Sequence, residues 1–179
     1  MVTQRKTISP HEYVIITDED NRRLGVVLRR EMRRQRLIHR ATYILVFNSV
    51  GKIFVLKRTM TKDIYPGYFE IAAGGVVRAD ESYDESARRE LAEELGIRGV
   101  RPLHLFDHYY EDAENRVWGR IYSCRHNGPM TLQAEEVEYG RFMTVSEIFR
   151  LHDKDPFTPD SMEILDRLLT ETPELVTPA

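Results

Sequence analysis

The segment GGVVRADESYDESARRELAEELGI, residues 74–97, constrains this chain more than any other stretch. At helical pitch Ala87, Leu91 and Leu95 make one apolar stripe, and Glu90, Glu93 and Glu94 fall in a neighbouring sector of roughly 100°. The stripe has to be buried against a sheet. The carboxylates are then left at its margin, fixed in place but reachable by water and ligand. Like charges one turn apart oppose a helix by roughly a few tenths of a kcal/mol, so the face is either solvated or built for a cation. Gly96 ends the helix, because a glycine just past the last turn takes the left-handed conformation at little cost, with Ile97 as the apolar contact that folds back. An oxygen-only ligand set of this kind suits Mg²⁺ or Mn²⁺. The plainer account is an exposed helix laced by Glu85–Arg89 and Arg89–Glu93 pairs.

The 179 residues, 41% hydrophobic and 31% charged, fit one soluble domain with a sizeable core. Apolar runs such as YILVF (43–47) are too short to cross a membrane, and the N-terminal MVTQRKTISPHEYV lacks the features of a secretory signal. A cytoplasmic location is therefore expected. Cys124, alone in the chain, excludes a disulfide framework and a cysteine metal cage. A net charge of −3 gives no general attraction to nucleic acid or membrane, and neither is expected as a partner. LRREMRRQRLIHR (28–40) is a local exception with six arginines, read either as a phosphate-facing patch or as a solvated helix face.

Along the chain, YVIIT (13–17), DEDN (18–21) and RRLGVVL (22–28) read as a hairpin leading into that arginine-rich helix. ATYILVFN (41–48) and KIFVLKR (52–58) read as a second hairpin from a sheet interior. TMTKDIYPG (59–67) is a loop delivering YFEIAAGG (68–75) as one short strand. Segments 103–112, 115–125 and 135–145 read as further strands. Ser146 is expected to cap a short helix, and PFTPDSMEILDRLLTET (156–172) supplies a longer one. Strands before and after a central helix, with another helix at the end, predict a mixed sheet sandwiched by helices. The expected organisation is an N-terminal hairpin and basic helix (1–38) packed on a main domain (39–172), with 173–179 frayed. That N-terminal unit could also pack on a second subunit, making a homodimer.

From Gly75 the sequence fills the pattern G-x5-E-x7-R-E-U-x-E-E-x-G-U, with U apolar, at Gly75, Glu81, Arg89, Glu90, Leu91, Glu93, Glu94, Gly96 and Ile97. A chance match has odds on the order of one in ten million at average residue usage. The segment resembles the box of Nudix hydrolases. That resemblance implies an α/β/α fold with Glu90, Glu93 and Glu94 holding divalent metal. It makes Glu81 and Arg89, with Gly75 and Gly96, structural members of the box.

Residues 39–70, ENRVWG (114–119), EEVEYGRF (135–142) and FTPDS (157–161) further resemble the type I isopentenyl diphosphate isomerases and the Nudix hydrolases nearest them. The isomerase residues are missing. The catalytic cysteine's place is Ala73, the catalytic glutamate's place is Arg116, and two metal histidines are replaced by Met32 and Gly75; only His39 and Glu114 survive. The resemblance thus implies an isomerase-like frame carrying a hydrolase-like site. In that branch Arg58 and Lys62 match positions that grip the diphosphate; for Arg58 an edge salt bridge is the plainer account. Trp118 with Tyr109, Tyr110 and Tyr122 could stack a nucleobase or could simply be core. The expectation is a metal-dependent hydrolase cleaving a diphosphate linkage in a nucleoside-diphosphate-type or other organic diphosphate. A non-catalytic binding module and an isomerase are the alternatives. Glu90, Glu93 and Glu136 are the catalytic candidates. Glu136 is placed as a base or second metal ligand, in competition with Glu135 and Glu138, because it approaches from a different direction than the box.

Overall fold

The computed structural model describes residues 12–176. Its strands are β1 (Tyr13–Thr17), β2 (Arg23–Leu28), β3 (His39–Phe47), β4 (Ile53–Arg58), β5 (Phe69–Glu70), β6 (Ala73–Val76), β7 (Leu103–Glu111), β8 (Arg116–Arg125) and β9 (Val137–Met143). Its helices are α1 (Arg29–Gln35), α2 (Tyr83–Glu94), α3 (Val145–His152) and α4 (Pro159–Glu171). Among the described residues the strands join one mixed sheet: β3 runs parallel to β8 and antiparallel to β6, and β4 pairs antiparallel with β9 and β5.

The alternation of β3 and β4 makes the layers. Leu45, Phe47, Ile53 and Val55 face one side and meet Ile148 of α3 and Ile164, Leu165 and Leu168 of α4. Ile44, Val46, Phe54 and Leu56 face the other and meet Ala87, Leu91 and Leu95 of α2. Period-two strands with both faces apolar have to be covered twice, and the result is the expected α/β/α sandwich. A smaller apolar patch of Val14, Met32 and Val76 seats β1 and α1 beside β6.

The structure corrects four local expectations. The hairpin of β3 and β4 is shorter than expected: the strands pair antiparallel only beside their turn, at Phe47↔Ile53, and then part into two halves of the sheet. The single strand expected at 68–75 is split between those halves, β5 on β4 and β6 on β3. Thr144, not Ser146, caps α3, because Glu147 lies three residues after Thr144 and completes a reciprocal capping box. Fraying from 173 is not seen in 173–176, where a 3₁₀ turn at Pro173–Leu175 leaves Leu175 and Val176 packed on the core. Residues 177–179 lie outside the described residues.

Two glycines let β6 lie close between β3 and α2. A Cβ at Gly74 would stand 1.9 Å from the Thr42 carbonyl oxygen, and one at Gly75 would stand 2.5 Å from Glu90 Oε1. Nothing lies within 4 Å of the position a Cβ would take at Gly25 in β2. Gly74→Ala is therefore expected to cost about 3 kcal/mol or more and Gly25→Ala less than about 1 kcal/mol in denaturant unfolding. Equal costs would show that β6 is not held by this approach.

Candidate active site

Helix α2 is anchored at both ends, which fixes where its carboxylates point. At its start Ser82 and Glu85 form a capping box, so Glu85 bonds the Ser82 backbone and hydroxyl rather than Arg89. At its end Gly96, at φ +69°, turns the chain, and Ile97 N–H bonds back to the Leu91 carbonyl at 3.1 Å. Two of the carbonyls that a helix end leaves unsatisfied find donors in the next segment: Thr131 N–H bonds Leu95 O at 3.0 Å and Gln133 N–H bonds Glu94 O at 2.9 Å. That docking carries Glu136, in the turn before β9, to the same place as Glu94.

The loop 59–67 is clamped to the same turn. Thr59 Oγ1 donates to the Glu135 carbonyl at 2.9 Å, and Thr59 N–H to that of Glu136 at 3.2 Å. Lys62 thereby reaches Glu136, to which its ammonium donates, and stands 3.8 Å from Glu94 Oε1. Burial disfavours its charge, but Glu94 and Glu70 outweigh that and hold its pKa above the ordinary lysine value. Arg58 gives its donors to the loop and to its own sheet half: Nε to Tyr65 O at 3.2 Å, Nη2 to Ile64 O at 2.9 Å and Nη1 to Glu70 at 2.8 Å. In the structure Arg58 shapes the loop that presents Lys62.

Arg89 orders the carboxylates of the box. It binds Glu81 through two donors, at 2.8 and 2.5 Å, and reaches Glu90 at 2.5 Å and Glu93 at 3.1 Å. Glu81 in turn accepts the Arg78 N–H at 2.9 Å, tying the loop before the helix to the helix. Glu94, 3% exposed, accepts the Gly74 N–H at 3.0 Å. Burial, together with Glu90 and Glu70 and against the pull of Lys62, pushes its pKa up to about 8.

These groups line one cavity of about 720 Å³: Glu90, Glu93 and Glu94 with Lys62 and Glu136, together with Arg29, Tyr13 and Val26 from the N-terminal elements. Of the competing base candidates, Glu138 pairs with Lys57 at 3.3 Å, and neither it nor Glu135 lines this cavity. The aromatic group is not brought here either. The Tyr109 and Trp118 rings lie 5.3 Å apart on β7 and β8, and buried Tyr110 and Tyr122 bond Asp112 and Asp84. The isomerase positions are scattered in role: Met32 and Ala73 are core, Arg116 pairs with Glu111 at 2.9 Å, and Glu114 is exposed. His39 is buried, with a pKa pushed down to about 3 by burial and by Arg33.

Among the described residues no three His, Cys, Asp or Glu side chains already stand as a ready ligand set. Glu90 and Glu93 are turned to Arg89, and Glu94 to Gly74 and Lys62. The donor chemistry nevertheless fits a hard divalent cation. All the donors are carboxylate oxygens, the missing Cβ of Gly75 leaves the Glu90 carboxylate its space, and Glu94 is a buried acid short of positive charge.

The NUDIX domain model matches residues 37–168. The chain belongs to the Nudix hydrolase family. It is 48% identical over 170 residues to the uncharacterised Nudix hydrolase YfcD of Salmonella typhi, covering 95% of this chain and 91% of that one. It is 40% identical over 160 residues to the Nudix hydrolase PA4841 of Pseudomonas aeruginosa, covering 89% and 95%. DR0079 of Deinococcus radiodurans shares the fold at a TM-score of 0.76 and 22% identity over 87% of this chain and 98% of that one. The NUDIX domain of Shewanella oneidensis NrtR, solved with ADP ribose, does so at 0.59 and 15% over 73% and 86%. No helix among the described residues is long and apolar enough to cross a membrane.

Motif spacing located the glutamates of this Nudix site; the stretch 28–40 was read as a phosphate-facing patch or a solvated face without singling out Arg29, and the places of Tyr13 and Val26 on the cavity were missed. Within that run, the signal that could have singled out Arg29 is its i,i+4 relation to Arg33 beside the apolar Met32. The raised pKa of Glu94 gives a signed prediction. Between about pH 4.5 and 8 the folded metal-free protein holds this proton more tightly than the unfolded chain, so its contribution to stability is lost as pH rises through that window. Glu94→Gln should therefore melt higher than the wild type at pH 8 without metal, by about 2–4 °C for each kcal/mol relieved. Mg²⁺ should raise the wild-type melting temperature and leave the variant's unchanged. A variant that melts lower without metal and still responds to Mg²⁺ would remove Glu94 from the metal site.

Proposed function

We propose that this Nudix hydrolase is a divalent-cation-dependent enzyme that cleaves the diphosphate linkage of a nucleoside-diphosphate-type or other organic diphosphate. The observation that carries this reading is the convergence of Glu90, Glu93, Glu94, Glu136 and Lys62 on one cavity. Glu90, Glu93 and Glu94 would hold Mg²⁺ or Mn²⁺. That cation would supply charge neutralisation on the diphosphate oxygens and make water a better nucleophile.

The chain's own groups divide the remaining work. Arg89 keeps Glu90 and Glu93 oriented through its bonds to both and to Glu81. Lys62, paired with Glu94 and Glu136 in the resting site, turns its charge to the incoming diphosphate. That frees the Glu136 carboxylate to take the proton of the attacking water. Water adds to phosphorus, the bridging P–O bond breaks, and the bridging oxygen leaves on the other phosphate. No redox change is involved.

A panel of nucleoside diphosphates, nucleotide sugars, dinucleotides, dNTPs, coenzyme A and prenyl diphosphates, assayed with Mg²⁺ for phosphate-bearing products, tests the reading. Turnover of at least one compound, lost in Glu93→Gln, is expected; binding without turnover would make the protein a binding module instead. Glu136→Gln should lower kcat by roughly 10²-fold, with Mg²⁺ affinity unchanged and the acid limb of the pH–rate profile gone. An unchanged kcat would shift the base role to a box glutamate, Glu90 first.

A further inference from the structure

The arginine-rich helix α1 is not uniform. Met32 is buried in the patch with Val14 and Val76, which fixes the rotation of the helix. Arg30 and Arg34 are then exposed, while Arg29 and Arg33, four residues apart and so on one face, point inward with side chains only 24% and 19% exposed. They enter a small, half-open chamber of about 80 Å³, walled also by Arg58, Lys62, Glu70, Asn115 and Asp160, which shares Arg29, Lys62, Gly74 and Gly75 with the large cavity.

Two of the chamber's carboxylates are engaged elsewhere: Glu70 accepts from Arg58 and Asp160 from the Tyr43 hydroxyl. Arg33 Nη1 donates to Asn115 Oδ1 at 3.0 Å and Arg29 Nη1 to Glu12 at 3.1 Å. The Nε of each arginine is shielded from solvent yet makes no hydrogen bond. The one carboxylate that both approach is Asp63, 3.4 Å from Arg33 Nε and 3.9 Å from Arg29 Nη2, without hydrogen-bond geometry at that Nε. Asp63 sits on the loop 59–67 with its side chain 42% exposed, so it is the carboxylate an anion entering the chamber would replace at both arginines. Leaving a buried guanidinium donor unmatched is costly, and forked arginine donors match phosphate oxygens.

Size settles which part of a substrate enters. At about 10–15 Å³ for each water-sized position, the chamber holds on the order of five to eight such positions, enough for one phosphoryl group but not for a nucleoside or sugar. The large cavity beside it has room for the organic portion. Between the two lie Gly74, Gly75 and Lys62, next to the box glutamates.

We infer that Arg29 and Arg33, with Lys62, form a subsite for a terminal, unesterified phosphate. The substrates are then diphosphate monoesters rather than diphosphates carrying organic groups at both ends. This rests on the hydrolase reading above and narrows it. With such a substrate the reaction is R–O–P–O–P plus water: the bridging P–O bond breaks, a P–O bond to the water oxygen forms, and the products are orthophosphate and the organic monophosphate. The water proton leaves through the base.

Binding and turnover are measured in parallel on the full chain. Titration with methylenediphosphonate, a diphosphate analogue that cannot be hydrolysed, in the presence of Mg²⁺ is expected to show a Kd raised at least tenfold in Arg33→Met and in Arg29→Met. Arg33→Lys should fall between them and the wild type, and Arg30→Met on the exposed face should bind as the wild type does. In turnover, ADP should release orthophosphate with KM raised in Arg33→Met more than kcat is lowered, and should be preferred over ADP-ribose. Wild-type affinity in both inward variants, with unchanged circular dichroism, would overturn the subsite. So would ADP-ribose turned over as well as ADP and indifferent to Arg33. Arginine-dependent binding without hydrolysis of any compound would support the subsite while refuting the hydrolase reading.

Discussion

The approach of β6 to α2 sets the geometry on which the rest of the site depends. With only hydrogen at Gly74 and Gly75, the strand lies under the Thr42 carbonyl on one side and against Glu90 on the other. Gly74 N–H can then reach the buried Glu94 carboxylate at 3.0 Å. A helix held farther out would leave its glutamates in water, where neither burial nor a backbone donor would fix them. The apolar stripe of Ala87, Leu91 and Leu95 drives the helix onto the sheet, and the glycines decide how closely it settles.

Charge then organises what packing has placed. Arg89 gathers Glu81, Glu90 and Glu93, and Lys62 stands between Glu94 and Glu136. In the smaller chamber beside the large cavity Arg29 and Arg33 are matched by Asp63, Glu12 and an amide, so carboxylates predominate in the large cavity and an arginine pair in its neighbour. A metal suits the first and a phosphate the second, and the linkage between two phosphates would lie by the residues they share, Lys62, Gly74 and Gly75. The loop 59–67 supplies both Lys62 and Asp63, and Arg58 holds that loop through two carbonyls and Glu70.

What the sequence made legible follows from how local each feature is. The face shared by Glu90, Glu93 and Glu94 could be read because helical pitch converts spacing directly into direction. The stop at Gly96 was legible for the same reason. The partners of β3 were not: alternation of Ile44, Leu45, Val46 and Phe47 reports burial on both faces but says nothing of a parallel neighbour 78 residues later, where Val117 lies beside His39. Ser146 and Thr144 are both good cap residues, and it is Glu147, three positions after Thr144, that decides between them. Six arginines in thirteen residues hid their own polarity. Only the burial of Met32 distinguishes Arg29 and Arg33 from Arg30 and Arg34. The tyrosines and Trp118 looked alike as core or as stacking surface, since both uses favour the same residues.

The central claim is that the carboxylates of the large cavity form a divalent-cation site. Anomalous diffraction from crystals of the protein soaked in Mn²⁺ tests it most directly, since manganese scatters anomalously and the protein's light atoms hardly do. The account predicts a manganese peak bounded by the carboxylates of Glu90, Glu93 and Glu94, with Arg89 displaced from at least one of them. Peaks found only elsewhere, or none at concentrations that support turnover, would contradict it.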